Sequence, residues 1–128
     1  FTGGEPLMHD LTSVVTQISN AGYKVHLETS GAYPLSANWD WVTLSPKKIK
    51  APLNEIYEFA SELKIVIYNH NDFKWALDQE KKVSDSCLLY LQPEWSKLKI
   101  MKPKIIDFIN SNPRWKLSLQ MHKYLHIQ

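Results

Sequence analysis

The sequence predicts a mixed α/β fold, a mainly parallel and curved sheet arranged as a partial, open (β/α) barrel. Three observations carry that expectation. Short β-branched or alternating runs recur between stretches with helical spacing, which favours βαβ units. The chain has 128 residues, 44% of them hydrophobic, enough for one domain over 1–128 with a core of its own. Unusual polar phrases (GGEP, ETSG, SPK, NHND, QPEW and QMHK) each follow an expected strand end. In barrel-like α/β proteins those ends share one face, and that face carries the site.

The elements follow in order. A first strand is expected to end near Gly3. Leu7, Leu11, Val14, Val15 and Ile18 then fall at helical spacing, with His9 inside the stretch and Gly22 where a helix C-cap would sit. In YKVHLETSG, Tyr23, Val25 and Leu27 share one strand face, ending near Glu28. WDWVTLSPK gives the next strand, ending near Leu44. Leu53, Ile56, Tyr57 and Ala60 predict a short helix started by Pro52. The β-branched run in LKIVIYNHND reads as a buried strand ending near Tyr68. Asp72 is placed to cap a helix carrying Phe73, Ala76 and Leu77. CLLYLQPEW is a strand ending near Leu91, and Ile105, Ile106 and Ile109 mark a helix that stops between Asn110 and Pro113. Trp115, Leu117 and Leu119 alternate with polar neighbours in a last strand.

Several function classes recede. A net charge of +2 and a pI of about 8.6 do not single out nucleic acid as a partner. No apolar run approaches the roughly 18 residues of a membrane span, and no stretch reads as a signal peptide. Cys87 is the only cysteine, so no intrachain disulfide forms and a reducing, cytoplasmic setting is expected. The histidines match no zinc spacing, and no nucleophile elbow, P-loop or dinucleotide fingerprint is present.

Each polar phrase allows a ligand role and a plain structural one. Gly3 and Gly4 expose backbone groups beside the Glu5 carboxylate, which suits an ammonium; the same residues make a tight turn before a helix, with Pro6 at its first position. Thr29, Ser30 and Gly31 suit a polar heterocycle or a hydrogen-bonded turn. Ser45, Pro46 and Lys47 suit a carboxylate or ribose, or a solvated loop. Gln92, Pro93, Glu94 and Trp95 offer an amide and a flat aromatic surface, or a Trp covering a core edge. His122 and Lys123 follow the last strand.

Taken together, TGGEP, LETSG, VTLSPK, YLQPEWS and RWKLSLQMHKYLHI occur in an order that resembles the 7-carboxy-7-deazaguanine synthases of the radical S-adenosylmethionine superfamily. The resemblance runs along nearly the whole chain. It implies a [4Fe–4S] cluster that cleaves S-adenosylmethionine to a 5′-deoxyadenosyl radical. That radical abstracts hydrogen from 6-carboxy-5,6,7,8-tetrahydropterin, and ring contraction with loss of ammonia follows, helped by Mg²⁺. The product feeds queuosine and related 7-deazapurines.

Carried over by residue, the resemblance implies that Gly3, Gly4 and Glu5 face the methionine amine. Gly31, Ser45, Pro46 and Lys47 would line the cofactor, and Gln92, Pro93, Glu94 and Trp95 would lie along its adenosine. Thr29, His122, Lys123 and the carboxylate of Gln128 would meet the pterin. A homodimer and a flavodoxin-type reductant are implied as partners, with neither membrane nor direct nucleic-acid contact. The family's cluster-binding cysteine triad is absent from 1–128, and one cysteine cannot replace it. The expectation is therefore a C-terminal portion of the barrel, lacking its N-terminal unit and inactive alone, with neither catalytic nor metal-ligating residues of its own. A non-catalytic ligand-binding module, another radical activating enzyme and a tRNA-binding protein are the competing readings.

Overall fold

The computed structural model describes residues 1–125 and residue 127. Its centre is one open, all-parallel sheet of five strands in sequential order. They are β1 (His26–Thr29), β2 (Trp41–Leu44), β3 (Glu62–Ile67), β4 (Leu88–Pro93) and β5 (Trp115–Leu117). Four helices accompany them: α1 (Thr12–Asn20), α2 (Asn71–Glu80), α3 (Leu98–Ser111) and α4 (Met121–Leu125). Because all strands run the same way, all their carboxyl ends lie on one edge, as the polar phrases require.

One face of the sheet builds the core. Leu27, Leu44, Leu63, Ile65, Ile67, Leu89 and Leu91 alternate along the strands and are almost fully enclosed. Phe73 and Ala76 from α2, Met101 and Ile105 from α3, and Ile56 and Tyr57 pack onto them. The α2 and α3 segments keep an apolar stripe at helical spacing, which is why they cross over as helices. Trp115 is buried at the β5 edge, its indole N–H donating to Glu80 Oε2 at 2.9 Å.

Several expected elements differ. The strand expected to end near Gly3 exists only as strand-like pairing: the Phe1 amino group donates to His26 O at 2.6 Å, and Glu28 N–H donates to Phe1 O at 2.9 Å. The stretch from Leu7 to Ile18 is not one helix. Glu5 caps a 3₁₀ turn, Pro6–Met8, and Asp10 starts α1 afresh by accepting from the Thr12 N–H and hydroxyl. Tyr23 lies outside β1 and is exposed, while Val25 and Leu27 are buried. The helix expected after Pro52 is a 3₁₀ helix, Asn54–Phe59.

Asp72 sits inside the first turn of α2 and accepts backward from the N–H groups of Tyr68 and Asn69 at 2.7 and 2.8 Å. It closes the turn before the helix rather than occupying the cap position, which is held by His70. β3 is buried on one face only, because Glu62, Lys64 and Val66 stay half-exposed on the other. The last strand stops at Leu117, leaving Leu119 exposed, and α4, unexpected from the alternating pattern, begins two residues later.

Candidate functional site

At the carboxyl edge the chain end, β1 and β2 meet around a cavity of about 240 Å³. Thr2, Gly3, Gly4, Glu5, Glu28, Thr29, Ser30, Ser45 and Lys47 line it. Gly3 and Gly4 have φ of +83° and +57°, a conformation that needs glycine, and a Cβ on either would project into open space. This curls the GGEP backbone outward over the end of β1.

Glu5 ties that loop to the sheet. Its Oε1 accepts from the Thr29 hydroxyl at 2.5 Å and from Leu7 N–H at 3.2 Å. Its Oε2 accepts from Ser30 N–H at 2.8 Å and from the Ser30 hydroxyl. Burial works against the charge, but the Ser30, Thr29 and Leu7 donors outweigh it, so the Glu5 carboxyl lies below its ordinary pKa. Both oxygens are fully engaged, so Glu5 offers a fixed negative charge rather than a vacant acceptor. Thr29 is enclosed, its hydroxyl donating to Glu5 and accepting from Gly31 N–H at 3.0 Å. The helix-start and hydrogen-bonded-turn readings of these phrases are thus both present in the structure.

Gly31 serves the core. At φ +77°, a Cβ there would stand 2.7 Å from Leu44 Cδ1 and 2.8 Å from Ile56 Cγ2. It lines neither of the cavities described here, so the close approach expected at Gly31 is to the protein's own side chains. Ser45 is buried, its N–H donating to Thr29 O at 2.7 Å, and Lys47 Nζ donates to its hydroxyl at 3.1 Å. Protein around the Lys47 ammonium, and the nearby Lys64 ammonium, hold its pKa below the ordinary lysine value, against the pull of Glu28 and Glu5. Pro46 is buried behind this corner.

A second cavity, about 370 Å³, adjoins the first. Thr2, Glu28, Lys64, Gln92, Ser118, Leu119, Gln120 and His122 line it. Thr2 and Glu28 belong to both cavities. Lys64 Nζ donates to Glu28 Oε1 at 2.5 Å. The structure thus brings GGEP, ETSG, SPK, Gln92 and His122 to one edge.

Other expected residues stand apart. NHND faces away: His70 packs against Phe73 and borders the groove between α2 and α3. Pro93 is buried at the end of β4, and Glu94 accepts from Ser96 to start a 3₁₀ turn. Trp95 packs edge-on against Tyr124, with Lys123 Nζ 5.2 Å from its ring centroid. Gln128 lies outside the described residues. Sequence reading gave Glu28 no role of its own within ETSG and missed Thr2, Lys64 and Ser118 as cavity residues. The signal was available for Glu28 and Lys64, charged residues at alternate positions of strands whose other face is apolar. Thr2 carries no such signal, since any residue entering a glycine turn looks alike.

Among the described residues no three His, Cys, Asp or Glu side chains converge on one point. Cys87 is free and buried at the start of β4, the opposite edge from the site, and burial pushes its thiol up to about 11. The described residues therefore do not by themselves supply the set of cysteine thiolates that a [4Fe–4S] cluster needs. Among them, no helix is long and apolar enough to cross a membrane.

No protein-family model matches the chain. A curated 7-carboxy-7-deazaguanine synthase from Flavobacterium psychrophilum is 52% identical over 126 residues, covering 98% of this chain and 60% of that protein. A protein of the same name from Synechocystis is 50% identical over 127 residues, covering 99% of this chain and 61% of the relative. Among solved structures, QueE from Escherichia coli superposes with a TM-score of 0.75 at 27% identity, covering 93% of this chain and 54% of that one. The chain thus spans about 60% of the length of the first two relatives.

Proposed function

We propose that the chain, 52% and 50% identical to two 7-carboxy-7-deazaguanine synthases, belongs to that family, and that its carboxyl-edge cavities hold S-adenosylmethionine and 6-carboxy-5,6,7,8-tetrahydropterin side by side. The activity proposed for the whole enzyme is a carbon–nitrogen lyase step in queuosine biosynthesis. The observation that carries this reading is that the two cavities share Thr2 and Glu28. A cofactor that acts on a neighbouring molecule needs such adjacency.

In this reading the first cavity takes the methionine end. Carbonyl groups of Gly3 and Gly4 accept from the ammonium, and the ionised Glu5 supplies charge at close range. The Lys47 ammonium and Ser45 hydroxyl face the carboxylate, with Pro46 stiffening their corner. From the family resemblance alone the adenosine is proposed along Gln92, Pro93, Glu94 and Trp95, of which only Gln92 lines one of the two cavities. The second cavity takes the pterin: Glu28 and His122 match its donors and acceptors, and Lys123, which packs over Trp95 outside the cavity lining, is proposed at the substrate from the family resemblance. Thr29 acts through Glu5 and the turn it braces. Gln128 is proposed at the substrate from the family resemblance alone. Bound S-adenosylmethionine supplies radical chemistry once a cluster reduces it, and the residues here bind, orient and exclude water. A homodimer, a flavodoxin-type reductant, Mg²⁺ held with ligands beyond this chain, and a cytoplasmic setting complete the proposal.

A second reading has one observation in its favour. This chain brings binding groups and a single, remote, buried cysteine, so alone it is a ligand-binding module. Equilibrium titration of the chain with S-adenosylmethionine and with pterin-6-carboxylate tests both. Binding of both ligands, each tightened by the other, supports the shared site. Failure of either to bind overturns it.

A further inference from the structure

We propose that Lys64 is a positioning residue for substrate recognition: it holds the Glu28 carboxylate turned so that its remaining acceptor sites meet an amidine-like edge carrying adjacent N–H donors. The inference rests on the reading of the second cavity as the pterin site. Lys64 and Glu28 are not on neighbouring strands. Glu28 pairs with Thr43 of β2, and Thr43 pairs with Glu62 of β3, two residues before Lys64 on the same face. The lysine stem therefore crosses over β2 to reach Glu28 Oε1 at 2.5 Å. Thr43 is short enough to let it pass.

This is not a solvated surface pair. The Lys64 side chain is only 14% exposed, against 41% for its partner. Both side chains line the second cavity, the lysine the more enclosed of the two and the carboxylate the more open. An ionised carboxylate has about four acceptor sites, and Lys64 uses one. Among the described residues, no hydrogen bond engages Glu28 Oε2. Glu62, two residues before Lys64 on β3, has its carboxyl pushed up by burial and, against the pull of Lys64, by Glu28. Without Lys64, Glu28 would face a second carboxyl and lose the cation that sets its direction. The pyrimidine ring of a pterin presents a 2-amino group beside a ring N–H, which a carboxylate accepts as a fork. A 2-oxo ring presents a carbonyl there and is repelled.

The test compares pterin-6-carboxylate with its 2-oxo counterpart, lumazine-6-carboxylate, by ligand fluorescence on the chain. Lys64→Met is expected to weaken the pterin about tenfold and the lumazine less than about threefold, the loss of one charge-assisted contact. Lys64→Arg, which keeps the cation, should recover most of the pterin affinity. In Glu28→Gln the further change Lys64→Met should add nothing, since the lysine acts through the carboxylate. Equal weakening of both ligands, or additive effects in the double variant, would overturn the proposal while leaving the pterin site standing. A parent chain that binds neither ligand would overturn the site reading, and this proposal with it. Should Lys64→Met not fold, Lys64→Gln takes its place under the same criteria.

Discussion

Alternate residues of the same strands face two environments. On the helix-covered side, Leu44, Leu63, Ile65, Ile67 and Leu91 have no exposed surface, and their neighbours are α2, α3 and the Asn54–Phe59 turn. On the other side, Glu28, Thr43, Glu62, Lys64, Tyr90 and Gln92 remain half-buried and polar. A parallel sheet ordinarily buries both faces in apolar side chains. Here one face is shaped by transfer of hydrocarbon out of water, and the other by pairing charge with charge. The first should govern stability and the second recognition, so substitutions on the two faces should separate in what they change.

The largest expected effect is on the covered face. Ile65→Ala should cost about 2–5 kcal/mol of unfolding free energy by denaturant titration, whereas its strand neighbour Lys64→Met, which leaves one partly exposed carboxylate unpaired, should cost about 1–2 kcal/mol. Comparable losses from the two would break the division between faces. Gly31→Ala tests the seam between core and site. Its Cβ would overlap Leu44 and Ile56 at a positive φ, so a loss of about 1–3 kcal/mol is expected. An unchanged denaturation midpoint would mean that this seam gives way easily.

Glu5→Gln should act on both properties at once. We expect S-adenosylmethionine to bind about tenfold to a hundredfold more weakly in calorimetric titration, through loss of one charge-assisted interaction. The fold should persist, with the Thr29–Ser30 turn loosened. Its pH dependence has a definite sign. The folded carboxyls of Glu5 and Asp72 lie below their ordinary values, so their contribution is complete above the unfolded pKa and is lost as pH falls through the depressed values. Stability should decline into acid below about pH 4.5, where an unfolded carboxylate begins to take up protons, and Glu5→Gln should flatten that decline. A steeper decline in the variant would show that Glu5 is not a stabilising anion.

The smallest effect concerns Cys87. Buried, with its thiol raised to about 11, it should resist alkylation at pH 8 in the folded chain and react after unfolding. Anaerobic reconstitution of the chain should leave no cluster with four irons per chain. A stable one would show that the chain finds ligands that its folded cysteine does not offer.

Much of this architecture was legible from local pattern. The strands expected to end near Glu28, Leu44, Tyr68 and Leu91 end at Thr29, Leu44, Ile67 and Pro93, and each buries one face against the same core, including the third, whose β-branched run read as wholly buried. The long helix of Ile105 and Ile109 likewise announced itself by spacing and by the Asn-Pro stop. Where reading failed, a short polar contact had overruled periodicity. Asp10 restarted a helix that Leu7 and Leu11 would have continued, and Asp72 folded back on Tyr68 and Asn69 instead of capping. Such choices depend on one hydrogen bond among several available to the same side chain.

The sequence by itself determined the strand–helix alternation, a mainly parallel sheet and the gathering of GGEP, ETSG and SPK at one edge, because period and turn chemistry are local properties of the chain. Its ordered phrases also carried the family resemblance that the relatives support. Only the tertiary structure decided that Glu5 spends its lone pairs on Thr29, Ser30 and Leu7, that Gly31 makes room for Leu44 and Ile56, and that Lys64 reaches Glu28 across an intervening strand. Those partners stand 24, 25 and 36 residues apart for Thr29, Ser30 and Lys64. No local pattern encodes such a meeting, because it depends on strand register and on the sheet that brings distant residues within a side chain's reach.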